Sequence, residues 1–304
     1  MNDLVIFSGS ANIPLAQDIA RSLNTPLGDV LIQKFSDGET YVDLREELKG
    51  KQVFIIQSGS NPANEHLMEL LLMIDAAWQA EPKKIVAVLP FMPYRRQERQ
   101  VEPGEPISSQ LVADLIETAG VDKAIIMDIH TTKILNFFDI PVAHISATEM
   151  IAQYFKDKID DNWVLVAPDE GSLWHTQNAA DVFNFPIVQI LKKRTSHDKV
   201  ASMYIKGDVF AKNVLLIDDE INTAGTLVEA VNLLKHQKAA DLYFGCTHAI
   251  LSGPAIDRLR HAPLKEIVVT DSINLPQEKK LKNLTVLSAA SIIADAIKQE
   301  AAIL

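Results

Sequence analysis

The chain has 304 residues, 47% of them hydrophobic, and a formal net charge of −11. That length suffices for two domains of ordinary size with sizeable cores, and the acidic balance argues against general nucleic-acid binding or attachment to anionic membranes. A single cysteine, Cys246, excludes an intrachain disulfide framework, and together with an N-terminus that lacks a secretory pattern and apolar runs far short of a membrane span it makes a cytoplasmic, non-membrane protein the expectation.

Leu4 to Phe7 reads as a first strand, closed by Ser8-Gly9-Ser10, and Pro14 to Leu23 has helical periodicity. Strands are expected at Val30 to Phe35, Thr40 to Leu44, Val53 to Gln57, Lys84 to Pro90 and Ala124 to His130, with helices at Asn64 to Ala80 and Ile107 to Ala119. Between them, Phe91 to Pro106 is irregular, punctuated by Pro93, Pro103, Gly104 and Pro106. A second round of alternation starts near Ser146. Its strands are expected at Trp163 to Ala167, Ile187 to Leu191, Val200 to Ile205, Asn213 to Ile217, Asp241 to Thr247, Ile267 to Thr270 and Leu284 to Leu287. Its helices are expected at Thr148 to Phe155, Leu173 to Phe183, Leu227 to Gln237, Ser252 to Leu259 and Ala289 to Ala302. Strand and helix alternating in this way predict an α/β fold with mostly parallel sheets flanked by helices. The pattern divides into two similar domains, 1–145 and 146–304.

The most informative stretch is Val214 to Thr226. An apolar run short enough to be a buried parallel strand ends in Asp218 and Asp219, and the small residues Thr223-Ala-Gly-Thr226 then lead into a helix. Ligands of open α/β sheets sit at the carboxyl ends of the strands. A loop of small residues at a helix N-terminus offers free N–H groups to a phosphate, and adjacent carboxylates accept hydrogen bonds from vicinal hydroxyls. A sugar phosphate satisfies both halves. A helix cap alone accounts for one Asp at such a junction, but two side by side are costly without a compensating ligand or metal. Other polar residues fall at strand ends: Asp128 and His130, Asp169, and Lys192 with Arg194. Arg95-Arg-Gln-Glu-Arg99 places three arginines in a proline-bounded loop, suited to bidentate contact with polyphosphate or, more plainly, to a solvated basic turn. There is no zinc-type spacing, no helical His pair, and no Gly-rich nucleotide loop of the Walker or dinucleotide kind.

These residues carry a resemblance. Val214 to Thr226 resembles the PRPP-binding motif of the ribose-phosphate diphosphokinase, or PRPP synthetase, family. Phe35-Ser-Asp-Gly-Glu39, Asn64-Glu-His-Leu-Met-Glu-Leu-Leu71, Pro93-Tyr-Arg-Arg-Gln-Glu-Arg99, Phe137-Phe-Asp-Ile-Pro141 and Cys246-Thr-His-Ala-Ile-Leu-Ser-Gly-Pro254 resemble its other signatures, in order along nearly the whole chain. The resemblance implies two phosphoribosyltransferase-like domains and the reaction of MgATP with ribose 5-phosphate to give PRPP and AMP. It implies that Asp218, Asp219 and the Asn222 position, with Thr223, Ala224, Gly225 and Thr226, bind ribose 5-phosphate. It also implies that His130 and Asp169 position Mg²⁺ and that Phe35, Asp37, Glu39, Arg96, Gln97 and Arg99 bind ATP. The Phe35 segment serves a neighbouring subunit's ATP site in the family, so a homo-oligomer is implied.

The family's catalytic loop carries a Lys and, two residues on, an Arg. Leu191-Lys-Lys-Arg-Thr-Ser196 permits two registers. One makes Lys193 the lysine and puts Thr195 in place of the arginine; the other, preferred because it keeps both charges, pairs Lys192 with Arg194. The chain departs from the family at Asn222, where an Asp is usual, at Glu170 and Ser172, where small or Gly residues are common, and in Leu173 to Gln177, which lacks the basic residues often found there. Two other readings are a catalytically silent relative that regulates a partner and a phosphoribosyltransferase that consumes PRPP. Lys192 with Arg194 argues against the first. The arginine-rich first half, which that reaction does not need, argues against the second.

Overall fold

The computed structural model of the chain describes residues 3–169, 171–183, 185–194 and 200–302; at 192–194 and 200–202 it describes the backbone alone. By contact the chain divides into two units. One comprises Met1–Ser146, Ser272–Asn274 and Ser288–Leu304, the other Ala147–Asp271 and Leu275–Leu287.

In the first unit the strands are β1 (Leu4–Ser8), β2 (Val30–Lys34), β3 (Thr40–Leu44), β4 (Gln52–Ile56), β5 (Lys84–Leu89), β6 (Lys123–Met127) and β7 (Val142–Ile145), with helices α1 (Ile13–Leu23), α2 (Ala63–Gln79) and α3 (Ser108–Thr118). A five-stranded sheet in the order β1-β4-β5-β6-β7 is parallel throughout, and β2 and β3 form a separate antiparallel hairpin. Burial explains the continuous apolar runs: every residue of β1 and β4 is buried, as expected of a parallel sheet covered on both faces. Alternate residues such as Val5, Phe7, Val53, Ile55, Ala87 and Leu89 cluster with Leu70, Met73 and Ile74 of α2 and Val112 and Ile116 of α3. On the other face α1 packs against the last helix of the chain, Ala290–Ala302. The expected division at 145/146 leaves that helix with the second half; its contacts put it with the first unit.

The second unit holds α4 (Thr148–Lys156), β8 (Trp163–Ala167), α5 (Leu173–Phe183), β9 (Ile187–Arg194), β10 (Val200–Lys206), β11 (Asn213–Ile221), α6 (Gly225–His236), β12 (Leu242–Ala249), α7 (Ala255–His261), β13 (Glu266–Thr270) and β14 (Leu284–Leu287); the last helix, assigned above to the first unit, is α8. Its seven strands run in the order β10-β9-β8-β11-β12-β13-β14, with only β10 antiparallel to its neighbour. From β8 the chain builds outward through β9, and from β11 it builds the other way through β12. The order therefore reverses between β8 and β11, a topological switch point, where α/β sheets bind ligands. Glycine at 245 is required by packing: a Cβ there would stand 2.5 Å from Ile151 Cγ2.

Candidate active site

Asp218 and Asp219 lie on the switch-point strand. The expected strand ended at Ile217, but β11 continues to Ile221 because β12 runs on beside it, pairing Glu220 with His248 and Ile221 with Ala249. The backbone that carries both carboxylates thus belongs to the end of the β11–β12 ladder. Asp218 Oδ1 accepts the backbone N–H of Asp219 at 2.9 Å. Burial, the Asp219 charge and the Asp169 charge, in that order, push the Asp218 pKa well up. Asp169 stands just beyond β8, where its Oδ1 accepts the Ser172 N–H at 3.1 Å at the approach to α5. Three acidic groups from two adjacent strand ends thus share one electrostatic environment. Such a place favours a cation or a hydroxyl-rich ligand.

Beyond β11, Asn222 and Thr223 lead to Ala224, the N-cap of α6, in a left-handed conformation (φ 59°). The helix begins at Gly225, two residues earlier than expected, so Gly225 and Thr226 form its first turn. Val228 N–H reaches Ala224 O at 3.1 Å. The N–H groups of Gly225, Thr226 and Leu227 precede it and have no carbonyl four residues back within the helix. Positive dipole, open amides and absent side chain at Gly225 together make an anion cradle. A residue not anticipated from the sequence anchors the loop before it: Arg258 of α7 donates to Thr223 O at 2.9 Å. Its partner lies 35 positions away, so no local pattern could have revealed it.

In the first unit Arg96, Gln97 and Arg99 follow the carboxyl end of β5 and His130 that of β6, while Phe35, Asp37 and Glu39 lie on the separate β2–β3 hairpin. The arginine loop is a shaped one. Gly59 N–H donates to Phe91 O at 2.6 Å, and a Cβ on Gly59 would stand 2.3 Å from Pro93 Cδ and 2.6 Å from Pro93 N. Tyr94 takes positive φ, its hydroxyl donates to Asn64, and its carbonyl accepts Ser109 Oγ at 3.0 Å. Gln97 is tied to α3 through its side chain, which accepts from Ser108, and its carbonyl, which accepts Ser109 N–H at 3.2 Å. The three arginines are not equivalent. Arg95 is buried with its guanidinium 4.6 Å from the Phe91 ring centroid, whereas Arg96 and Arg99 are exposed.

His130 is exposed and lies past the end of β6, which stops at Met127 rather than running to His130 as expected. Asp128 there has positive φ, and its N–H bonds to Ile145 O of β7, the edge strand that the sequence reading left unassigned. Phe35, Asp37 and Glu39 form the exposed tip of the β2–β3 hairpin. Phe35 N–H bonds to Glu39 O at 2.8 Å, Glu39 N–H to Asp37 Oδ1 at 3.2 Å, and Gly38 supplies the φ of +96°. Phe35 is 50% exposed, its ring 5.5 Å from that of Tyr41 between centroids.

Lys192 and Arg194 were expected in a loop after β9; instead the backbone of β9 runs through Arg194, paired with β10. Their side chains, and that of Lys193, lie outside the described residues, as do Thr195, Ser196 and Glu170 altogether. Among the described residues no three His, Cys, Asp or Glu side chains assemble as a metal cage, and no helix is long and apolar enough to cross a membrane.

A family profile described as the N-terminal domain of ribose phosphate pyrophosphokinase matches residues 4–120, and one described as a phosphoribosyl synthetase-associated domain matches residues 160–301. The chain is 43% identical over 298 residues to the ribose-phosphate pyrophosphokinase of Fusobacterium nucleatum, covering 97% of this chain and 94% of that one. It is 44% identical over 297 residues to the protein of the same name from Caldanaerobacter subterraneus, again covering 97% and 94%. Among solved structures, phosphoribosylpyrophosphate synthetase from Mycobacterium smegmatis matches with a TM-score of 0.93 at 38% identity, covering 98% of each chain.

Proposed function

The chain belongs to the ribose-phosphate pyrophosphokinase family, and we infer that it transfers the pyrophosphoryl group of MgATP to the 1-hydroxyl of ribose 5-phosphate, giving PRPP and AMP. The sugar oxygen attacks the β-phosphorus of ATP, the bond from that phosphorus to the AMP oxygen breaks, and the hydroxyl proton is released. Such transfer rests on positioning and charge neutralisation. The observation that carries the reading is the pairing, on one switch-point strand, of Asp218 and Asp219 with the open amides at the start of α6.

In this reading Asp218 and Asp219 accept the ribose hydroxyls, and Asn222 flanks them. Thr223, Ala224, Gly225 and Thr226 hold the 5-phosphate. Arg96, Gln97 and Arg99 bind the ATP polyphosphate. Phe35, Asp37 and Glu39 reach the ATP site of a second copy, which the exposed hairpin tip suits, so the working form is a homo-oligomer. Lys192 and Arg194 stabilise the charge that builds on the transferring group. Mg²⁺, brought with ATP, would supply charge neutralisation at its phosphates. His130 and Asp169 are the residues assigned to it, and a few carboxylate or imidazole contacts suit a cation that keeps most of its waters. Burial and the Asp219 and Asp169 charges raise the Asp218 pKa, and a cation nearby would offset that repulsion. The protein works in the cytoplasm.

The test is direct. The purified protein incubated with MgATP and ribose 5-phosphate yields PRPP and AMP in equal amounts; formation of neither overturns the assignment and favours a silent regulatory subunit.

A further inference from the structure

Three consecutive carbonyls between β11 and α6 are taken up by one neighbouring segment. Ile221 O accepts the N–H groups of Ile250 at 3.0 Å and Leu251 at 3.1 Å, Asn222 O accepts Ser252 N–H at 3.0 Å, and Thr223 O accepts Arg258 Nη1 at 2.9 Å. The Asn222 side chain adds to the same seam, its Oδ1 accepting Ser252 Oγ. A peptide group is planar and trans, so its N–H points opposite to its carbonyl. Holding these three carbonyls toward residues 250–258 therefore aims the N–H groups of Asn222, Thr223 and Ala224 the other way.

We propose that Arg258 is a positioning residue for the 5-phosphate loop. It anchors the last of these peptides, the one that precedes Ala224, whose left-handed conformation (φ 59°) is disfavoured for a residue with a side chain. It is also a charged donor, whereas the other bonds described to these three carbonyls come from backbone N–H groups. The guanidinium needs the space it occupies: a Cβ on Gly225 would stand 3.3 Å from Arg258 Nη1. The same seam explains how the chain accommodates Asn222 in place of the usual Asp, because an amide oxygen accepts the Ser252 hydroxyl as a carboxylate does. The assignment rests on reading Thr223 to Thr226 as the phosphate loop.

The experiment compares Arg258→Ala and Arg258→Lys with the parent in kcat, in KM for each substrate, in calorimetric affinity for ribose 5-phosphate, and in thermal midpoint. Arg258→Ala is expected to weaken ribose 5-phosphate about tenfold, the worth of one charged hydrogen bond, with KM for ATP and the thermal midpoint little changed. Arg258→Lys keeps a charged donor and recovers part of the loss. Equal weakening of both substrates with a lowered midpoint, or no change in either KM, overturns the proposal. A parent that makes no PRPP and binds no ribose 5-phosphate overturns the reading of the loop itself, and this assignment with it.

Discussion

Asp218 accepts a hydrogen bond from the backbone of Asp219 at 2.9 Å while facing the Asp219 carboxylate at the same strand end. The first relationship favours ionised Asp218. Burial and the charges of Asp219 and Asp169 outweigh it, so the pKa in the folded protein lies well above its ordinary value. A group raised in the folded state binds its proton more tightly there, so its contribution to stability is present at low pH and is lost as pH rises from about 4 through the raised value. Asp218→Asn removes that loss. The variant is expected to melt about 2–4 °C higher than the parent near pH 8, with the difference shrinking toward pH 4, while its KM for ribose 5-phosphate rises. A thermal-unfolding series over pH checks the first expectation and steady-state kinetics the second. A midpoint that drops at pH 8 contradicts the electrostatic account.

Gly59 and Pro93 touch so closely that no Cβ fits between them. Two of the three atoms crowding that position are ring carbons and the third is backbone nitrogen, so a methyl group must displace the whole start of the arginine loop. Overpacking of this kind costs about 1–3 kcal/mol. Gly59→Ala is expected to raise KM for ATP about tenfold, through Arg96, Gln97 and Arg99, and to leave KM for ribose 5-phosphate near the parent's. Initial-rate kinetics with each substrate varied separately decide it.

Much of this architecture was legible in the residues, and the gaps have physical causes. Trp163–Ala167 and Leu173–Phe183 fall where periodicity placed them, because burial on a covered parallel sheet or an amphipathic helix writes itself into local pattern. β7 escaped because Val142-Ala-His-Ile145 is short and has no run of β-branched residues, whereas the equally short edge strand Leu284-Thr-Val-Leu287 carries Thr285 and Val286 side by side. β11 outran its apolar run because a neighbouring strand, not local propensity, supplies the ladder for Glu220 and Ile221. The candidate site was legible as residue types, but the long-range contacts that shape it were not. Gly59 against Pro93 and Arg258 on Thr223 join residues 34 and 35 positions apart, and Arg95 sits buried beside exposed Arg96 although the two are identical in sequence terms. The return of α8 to the first unit likewise depends on contacts that no local signal encodes.

That return is fastened at three strand starts. Glu300 on α8 is buried and pairs with Lys84 at the start of β5 and Lys123 at the start of β6, and Gln52 at the start of β4 donates to Ala301 O at 3.2 Å. Burial by itself raises the Glu300 pKa, but the hydrogen bonds from Lys123 and Lys84 prevail and the net direction is downward. A depressed carboxylate contributes stability above its unfolded value of about 4.3, and that contribution is lost as pH falls through the folded value. Glu300→Gln leaves two lysines facing an uncharged group, and is expected to cost about 3 kcal/mol near pH 7. Denaturant unfolding at pH 7 and at pH 4 checks this: the gap between parent and variant narrows at the lower pH, and a pH-independent gap would point to packing instead.

The choice between Lys192 and Lys193 as the catalytic lysine is open to the same kind of measurement. Both lie on the stretch of β9 that pairs with β10, so either is carried by a backbone fixed in the sheet, and the residues that follow join it to Val200. A contact made mainly in the transition state lowers kcat and kcat/KM together and leaves ground-state binding intact. Lys192→Ala is expected to lower kcat by about 100-fold or more, the range found when one charge-stabilising donor is removed, with ATP affinity within about twofold of the parent's. Lys193→Ala is expected to retain most activity. Arg194→Ala follows Lys192→Ala in this reading, because the two charges act on the same transferring group, and the double variant then loses less than the product of the single effects. If Lys193→Ala shows the large loss in kcat and Arg194→Ala does not, the register shifts by one residue, and Thr195 occupies the position that Arg194 holds here.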